Sequence, residues 1–312
     1  MNVKKLQNEI RDLKKYNNVT ILAHYYQPIE IQEIADFLGD SLGLSRTARE
    51  KTNTEYIIFA GVDFMAETAS ILNQDKHVLI PNPESCCPMA AYLTPEMVST
   101  FKKRYPKLPA VVYVNSTALV KAESDICCTS ANAVKIVSKI KNEFKSEGVL
   151  FGPDANLADY VEQKSKIKTI KMPNDGNCYV HSMLTSKDVN QIKIEYPSAM
   201  FLAHPECVRE VRELADFVGS TTQMFNYAKE NENREFIIGT EKGLLERLTS
   251  DFPNKKFYLA KEKMICYNMK KHNLELIKYL LENLDDKNFE VKVPKQVAER
   301  ALIPINKMLD YS

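Results

Sequence analysis

Apolar residues fall into two kinds of run along this chain. Leu6, Ile10 and Leu13 stand three or four apart among charges over residues 4–16, which predicts an amphipathic helix packed on the body as a leader. Residues 20–23 are a short, uniformly apolar run. Its length suits a strand and its uniformity a buried parallel one. Pro28 opens a predicted helix over 30–37, which Gly39 ends. Ser41 reads as the N-cap or first-turn residue of another helix over 42–50. A strand is predicted at 56–60, a helix at 63–72 and a third strand at 77–80. Thr94 then caps a further helix with Pro95 at its first position.

This order returns twice. The run Thr20-Ile21-Leu22-Ala23-His24 is matched by Val111-Val112-Tyr113-Val114-Asn115 and by Ala199-Met200-Phe201-Leu202-Ala203-His204. The segment Ala35-Asp36-Phe37-Leu38-Gly39-Asp40-Ser41 reappears as Ala215-Asp216-Phe217-Val218-Gly219-Ser220-Thr221, and more faintly from Ser124 to Ser130. Apolar runs ending in Gly61, Gly152 and Gly239 precede Cys87, Cys178 and Cys266 by 26, 26 and 27 positions, and the cysteines themselves are 91 and 88 apart. Four landmarks in one order predict one unit used three times. The fold expected is α/β, with three homologous αβα sandwich domains, parallel sheets, and a pseudo-threefold arrangement around a central cavity. The domains are placed at 1–107 with the N-terminal helix, 108–197 and 198–285. A C-terminal tail, 286–312, packs on the body and reads as helical over 296–309 with a break near Pro304.

Composition narrows the function. Over 312 residues, hydrophobic content of 44% and charged content of 27% suit a globular protein, and a net charge of +1 makes no case for nucleic acid or an anionic membrane. No apolar stretch approaches the length of a membrane span, and the first residues lack the apolar core of a signal peptide. A cytoplasmic location is expected. In that reducing compartment seven cysteines point away from a disulfide framework, toward metal binding or catalysis.

In parallel sheets, ligands gather at the carboxyl ends of strands, where His24, Asn115, His204, Cys87, Cys178 and Cys266 fall. Three thiolates from distant segments suit zinc or an iron-sulfur cluster; a 4Fe-4S cluster on three cysteines leaves one iron open as a Lewis acid. Ser41, Ser130 and Thr221 are read as starting helices, and three helix N-termini facing one cavity form an anion pocket. His24, His204 and Glu206 can move protons near neutral pH, while Tyr26 and Tyr113 can donate to a developing oxyanion. Asp36, Asp125 and Asp216 are read as holding turns. Cys127 and Cys128 are read as small buried side chains, His181 as a supporting or structural residue, and Cys86 as an extra thiol beside a proposed ligand. The competing readings are a zinc hydrolase and a redox-sensing iron-sulfur protein.

At these residues the chain resembles the quinolinate synthase family over nearly its whole length. The motifs that carry the resemblance are His24-Tyr25-Tyr26-Gln27, Gly39-Asp40-Ser41, Val62 to Thr68, Cys87-Pro88-Met89-Ala90, Tyr113-Val114-Asn115, Thr129-Ser130, Cys178-Tyr179-Val180-His181, His204-Pro205-Glu206-Cys207, Gly219-Ser220-Thr221 and Cys266. The resemblance implies three αβα domains around a 4Fe-4S cluster held by Cys87, Cys178 and Cys266. It implies substrate binding by His24, Ser41, Tyr113, Asn115, Ser130, His204, Glu206 and Thr221, with Tyr26 assisting isomerisation and proton transfer. The implied reaction condenses iminoaspartate with dihydroxyacetone phosphate to quinolinate, phosphate and water, alongside an enzyme that supplies iminoaspartate. Loss of hydroxyl from the condensed intermediate calls for the Lewis acid. Enolisation and imine formation call for an acid-base pair, read as Glu206 with His204 or Tyr26.

Overall fold

Twelve strands in the computed structural model, which describes residues 2–312, form three parallel sheets. In chain order they are β1 (Val19–His24), β2 (Phe37–Gly39), β3 (Tyr56–Ala60), β4 (His77–Leu79), β5 (Ala110–Tyr113), β6 (Ile126–Cys128), β7 (Gly148–Gly152), β8 (Lys168–Lys171), β9 (Met200–Ala203), β10 (Phe217–Val218), β11 (Glu235–Gly239) and β12 (Lys256–Leu259). The sheet orders are β2-β1-β3-β4, β6-β5-β7-β8 and β10-β9-β11-β12. One topology, three times, is the α/β arrangement of parallel sandwiches that the repeated landmarks predict. The inner strands β1, β5 and β7 are buried along their whole length, as expected of β-branched and aromatic runs covered by helices on both faces.

The first of each sheet's edge strands was hidden in the repeated Ala-Asp-Phe segment. The predicted helix over 30–37 is in fact a single turn, Ile29–Gln32, and Phe37–Gly39 is strand β2. A two-way clamp explains the difference. Asp36 donates its N–H to Ile21 O at 2.9 Å, and its carboxylate accepts the Ile21 N–H at 2.8 Å. Asp125 does the same with Ala110 and Asp216 with Phe201. These aspartates therefore hold strand pairs in register, which is more than holding a turn. Lys14, Lys102 and Lys193 pair with the three carboxylates at 2.8, 3.0 and 3.6 Å.

Those lysines also revise the reading of the N-terminal helix. Val3–Tyr16 carries Lys14, as Pro95–Arg104 carries Lys102 and Ser186–Glu195 carries Lys193, so it is the counterpart of the helix that precedes each sheet. Calling it a leader understates it. It buries Leu6 and Ile10 against Ile21, Ile58 and the late helix Leu274–Glu282.

The C-terminal segment packs across the first two sheets. Residues 289–291 bond to the exposed edge of β4, through Ile80 N–H to Phe289 O and Val291 N–H to Val78 O, which covers an open edge. The helix Lys295–Tyr311 then buries Ala298, Ala301, Ile305 and Met308 beside Val111, Ile126 and Ile136. It runs through Pro304 without the expected break. The carbonyl that Pro304 cannot satisfy belongs to Arg300, an exposed residue with water at hand. Among the described residues, no helix is long and apolar enough to cross a membrane.

Candidate active site

The parallel sheets aim their carboxyl ends inward, and each strand delivers one kind of side chain. From the ends of β1, β5 and β9 come His24, Tyr113 with Asn115, and His204; after β2, β6 and β10 come Ser41, Ser130 and Thr221. The loops after β4, β8 and β12 bring Cys87, Cys178 and Cys266. All of these, with Tyr26 and Glu206, line one cavity. Cys86 is exposed and does not line it. Cys127 and Cys128 are buried within β6, away from the cavity wall.

Seven positions after each of the three cysteines a side chain caps the next helix: Thr94 accepts from Met97 N, Thr185 from Asp188 N and Asn273 from Leu276 N. Each thiol loop is thus tied down by a helix start on its far side. The hydroxyls follow a looser rule. Ser41 and Thr221 occupy the first position of helices capped by Asp40 and Ser220. Ser130, expected to start a helix, instead lies in the turn before it, because Ala133–Phe144 begins only after Asn132 has accepted the Thr129 N–H at 2.7 Å. Two helix N-termini therefore face the cavity with a hydroxyl in the first turn, and the third site hydroxyl sits on a turn.

Two imidazoles are held in the same way. His24 Nδ1 accepts the Tyr26 N–H at 3.1 Å, and His204 Nδ1 accepts the Glu206 N–H at 3.3 Å. A ring nitrogen that accepts carries no proton, so both rings are neutral with Nε2–H as donor. Burial acts in the same direction, lowering His24 to about 4 and His204 to about 3. Burial alone would raise Glu206, but the neighbouring His181 ring and the Tyr113 hydroxyl, which donates at 2.5 Å, outweigh it and keep the carboxyl below its usual range. Burial and the Glu206 charge push Tyr26 and Tyr113 well above the ordinary phenol range, so both remain hydroxyl donors.

A chain of short contacts joins these groups. Thr221 Oγ1 donates to the Tyr26 hydroxyl at 3.1 Å, which lies 2.6 Å from Thr240 Oγ1. Thr240 Oγ1 is in turn 2.8 Å from His181 Nε2. His181 Nδ1 comes within 2.8 Å of Glu206 Oε2, close but off-line for a directed hydrogen bond, and its ring stacks on His204 with centroids 4.5 Å apart. Thr240 and His181 thus belong to the site, although no role in it was read for Thr240 from the sequence. The signal was available: Thr240 is the residue after Gly239, in register with Val62 after Gly61, and both line or border the cavity. Asn115 keeps a buried, unpartnered Oδ1 here, an acceptor left for a ligand.

The donor chemistry fits an iron-sulfur cluster. Burial raises all three thiols; for Cys87 and Cys178, neighbouring cysteine and Glu206 charges raise them further. Three half-buried thiols brought to one cavity are soft donors of the kind that hold such a cluster once ionised. A single ion fits them less well. The one group of ligand atoms within 4.8 Å of one another among the described residues is Cys178, His181 and Glu206, which includes only one of the three cysteines.

Comparison with known proteins agrees with this geometry. The family model described as quinolinate synthetase A protein matches residues 8–310. Proteins named quinolinate synthase from Alkaliphilus metalliredigens, Pyrococcus furiosus and Thermococcus kodakarensis are 46%, 47% and 46% identical to this chain. The first two alignments cover 99% of both chains, and the third covers both completely. A solved structure of a diphosphate reductase from Plasmodium falciparum covers 91% of this chain and 95% of its own, at 12% identity and a TM-score of 0.34, too distant to carry an argument. The chain belongs to the quinolinate synthetase A protein family.

Proposed function

We propose that this cavity condenses iminoaspartate with dihydroxyacetone phosphate and cyclises the product to quinolinate, with a 4Fe-4S cluster held by Cys87, Cys178 and Cys266. The observation that carries the reading is the convergence of three cysteines and twelve other polar side chains, drawn from three sheets, on one cavity. The atoms balance when one phosphate and two waters leave.

Both substrates are anions, yet among the described residues no lysine or arginine lines the cavity. The helix N-termini at Ser41 and Thr221 supply the positive end instead, with hydroxyls to bind carboxylate or phosphate oxygens. Asn115 Oδ1 takes a donor from the substrate, such as an imine N–H or a hydroxyl. The Nε2–H groups of His24 and His204 donate to carbonyl oxygens, and Tyr26 and Tyr113 donate where negative charge develops. Glu206, the carboxylate among them, takes the proton that enolisation releases. The path through His181 and Thr240 lets a proton taken at Glu206 be returned at Tyr26. When bound, a cluster with one iron free of protein ligands supplies a Lewis acid for loss of hydroxyl.

Thr221→Val keeps the helix and its Ser220 cap but removes a hydroxyl from the anion pocket and from Tyr26. The KM of at least one substrate should rise about tenfold, as expected for a lost hydrogen bond to a charged group, with thermal stability nearly unchanged. Unaltered Michaelis constants for both substrates would remove Thr221 from the pocket.

The direct test is anaerobic reconstitution with iron and sulfide, followed by an assay for quinolinate from the two substrates. A brown protein absorbing at about 400 nm that forms quinolinate is the expected result. Intact cluster without quinolinate would sink the reading. The Cys178, His181 and Glu206 group gives a mononuclear zinc hydrolase one geometric point in its favour. A colourless, zinc-loaded protein that takes up no iron would select it.

A further inference from the structure

Cys87 and Cys266 share a contact that none of the roles above uses, and Cys178 has a carboxylate at the same register position. Two positions past Gly61, Gly152 and Gly239 stand Asp63, Asp154 and Glu241, which precede Cys87, Cys178 and Cys266 by 24, 24 and 25 positions. Asp63 Oδ1 accepts the Cys87 N–H at 3.1 Å, and Glu241 Oε1 accepts the Cys266 N–H at 3.2 Å. Asp154 stands in the matching place without a hydrogen bond to the Cys178 N–H. Its Oδ1 takes the Leu157 N–H at 2.6 Å, and its buried Oδ2 has no hydrogen-bond partner.

Helix capping does not account for these acids. Asp154 and Glu241 do cap the helices that follow them, yet both are 0% exposed. Burying a carboxylate is costly. Elsewhere the chain caps with Thr94, Thr185, Ser220 and Asn273 at no such cost, and the other buried acidic cap, Asp40, is partnered by the Ser220 hydroxyl. Asp63 caps nothing by the usual geometry, since Val62 holds the N-cap position and has no side-chain bond to give. Asp63 and Glu241 have in common the amide of a cysteine, and Asp154 stands in the same register before Cys178.

We infer that Asp63, Asp154 and Glu241 are positioning residues that hold the three thiol loops in ligand geometry before metal arrives. The inference rests on the cluster reading above. In the first and third sheets a carboxylate from the second inner strand fixes the amide of a cysteine that enters from the outer strand, which fixes the direction of its Cα–Cβ bond. Two rigid strands thereby set the directions of two sulfurs, with Asp154 in register to act on the third, and the supporting groups of a metal site act in this way. The same bond occupies the N–H nearest the Cys87 and Cys266 sulfurs, one of the donors through which a protein tunes a cluster.

The test follows decay of the absorbance at about 400 nm after excess chelator is added anaerobically to reconstituted protein. Asp63→Ala, Asp154→Ser and Glu241→Ser should each lose the cluster about tenfold faster than the unaltered protein, or more. The serines keep a capping hydroxyl for the helix start, but a hydroxyl is too short to reach the cysteine amide. Asp63→Asn and Glu241→Gln keep a side-chain oxygen as acceptor and should stay within about threefold of the unaltered rate. Thr94→Ala and Asn273→Ala, at helix caps with no bond to a cysteine amide, should lower thermal stability without hastening cluster loss. Equal decay across all variants would overturn the inference, as would Asn and Gln variants that decay as fast as the shortened ones. If the unaltered protein takes up no cluster at all, the failure belongs to the underlying reading.

Discussion

Serine at Cys87, Cys178 or Cys266, one at a time, should abolish quinolinate formation and cut cluster absorbance at about 400 nm at least tenfold, while Cys86→Ser leaves both intact. The expectation follows from where each sulfur sits. The three cysteines line one cavity, and burial raises the pKa of each thiol. A serine hydroxyl at one corner is a far harder donor and remains protonated, which leaves two sulfurs to hold a centre that needs three. Cys86 is exposed and anchored only through its backbone, with its N–H on Glu84 O. Cys87, by contrast, has its amide on Asp63. Iron content and absorbance would decide between the adjacent pair. Cluster retained in Cys87→Ser but lost in Cys86→Ser would reverse the ligand assignment.

How much of this was legible beforehand depends on the reach of each signal. The inner strands announced themselves as uniform apolar runs, and the cysteines and strand-end histidines as residues repeating at nearly even intervals. Strands β2, β6 and β10 did not. They are two or three residues long, and what makes them strands is a carboxylate 15 residues away from the backbone N–H it accepts, a long-range bond with no local pattern. The helix after Ser130 was misplaced for a similar reason: Asn132, two positions later, had captured the turn. Register was the signal left unread. Aligning the three units on Gly61, Gly152 and Gly239 brings Asp63, Asp154 and Glu241 into one column, and brings Thr240 to the cavity edge. Side-chain pairings across sheets, such as Ser220 Oγ donating to Asp40 Oδ2 at 2.9 Å, leave no trace in spacing, because their partners are 180 positions apart and belong to different units.

Glu206→Gln should lower kcat by about 10²- to 10⁴-fold, the range of a lost general acid-base group, with cluster absorbance and iron content unchanged. The substitution preserves volume in a site where Glu206 is 3% exposed, so packing is spared. A glutamine oxygen can still accept from Tyr113, as Glu206 Oε1 does at 2.5 Å. What changes is the other side. Where Oε2 faced His181 Nδ1 at 2.8 Å with a lone pair, an amide N–H₂ donates, and it cannot take up a proton. The chain from Glu206 through His181 and Thr240 to Tyr26 then has no base at its end. Thr240→Val breaks the same chain in the middle but leaves the carboxylate in place, so its loss in kcat should be smaller and its KM values near those of the unaltered enzyme. Because Glu206 also lies close to Cys178, the spectrum must accompany the kinetics. A drop in kcat that tracks lost iron would assign Glu206 to the metal site, whereas near-normal turnover with the cluster intact would remove it from proton transfer altogether.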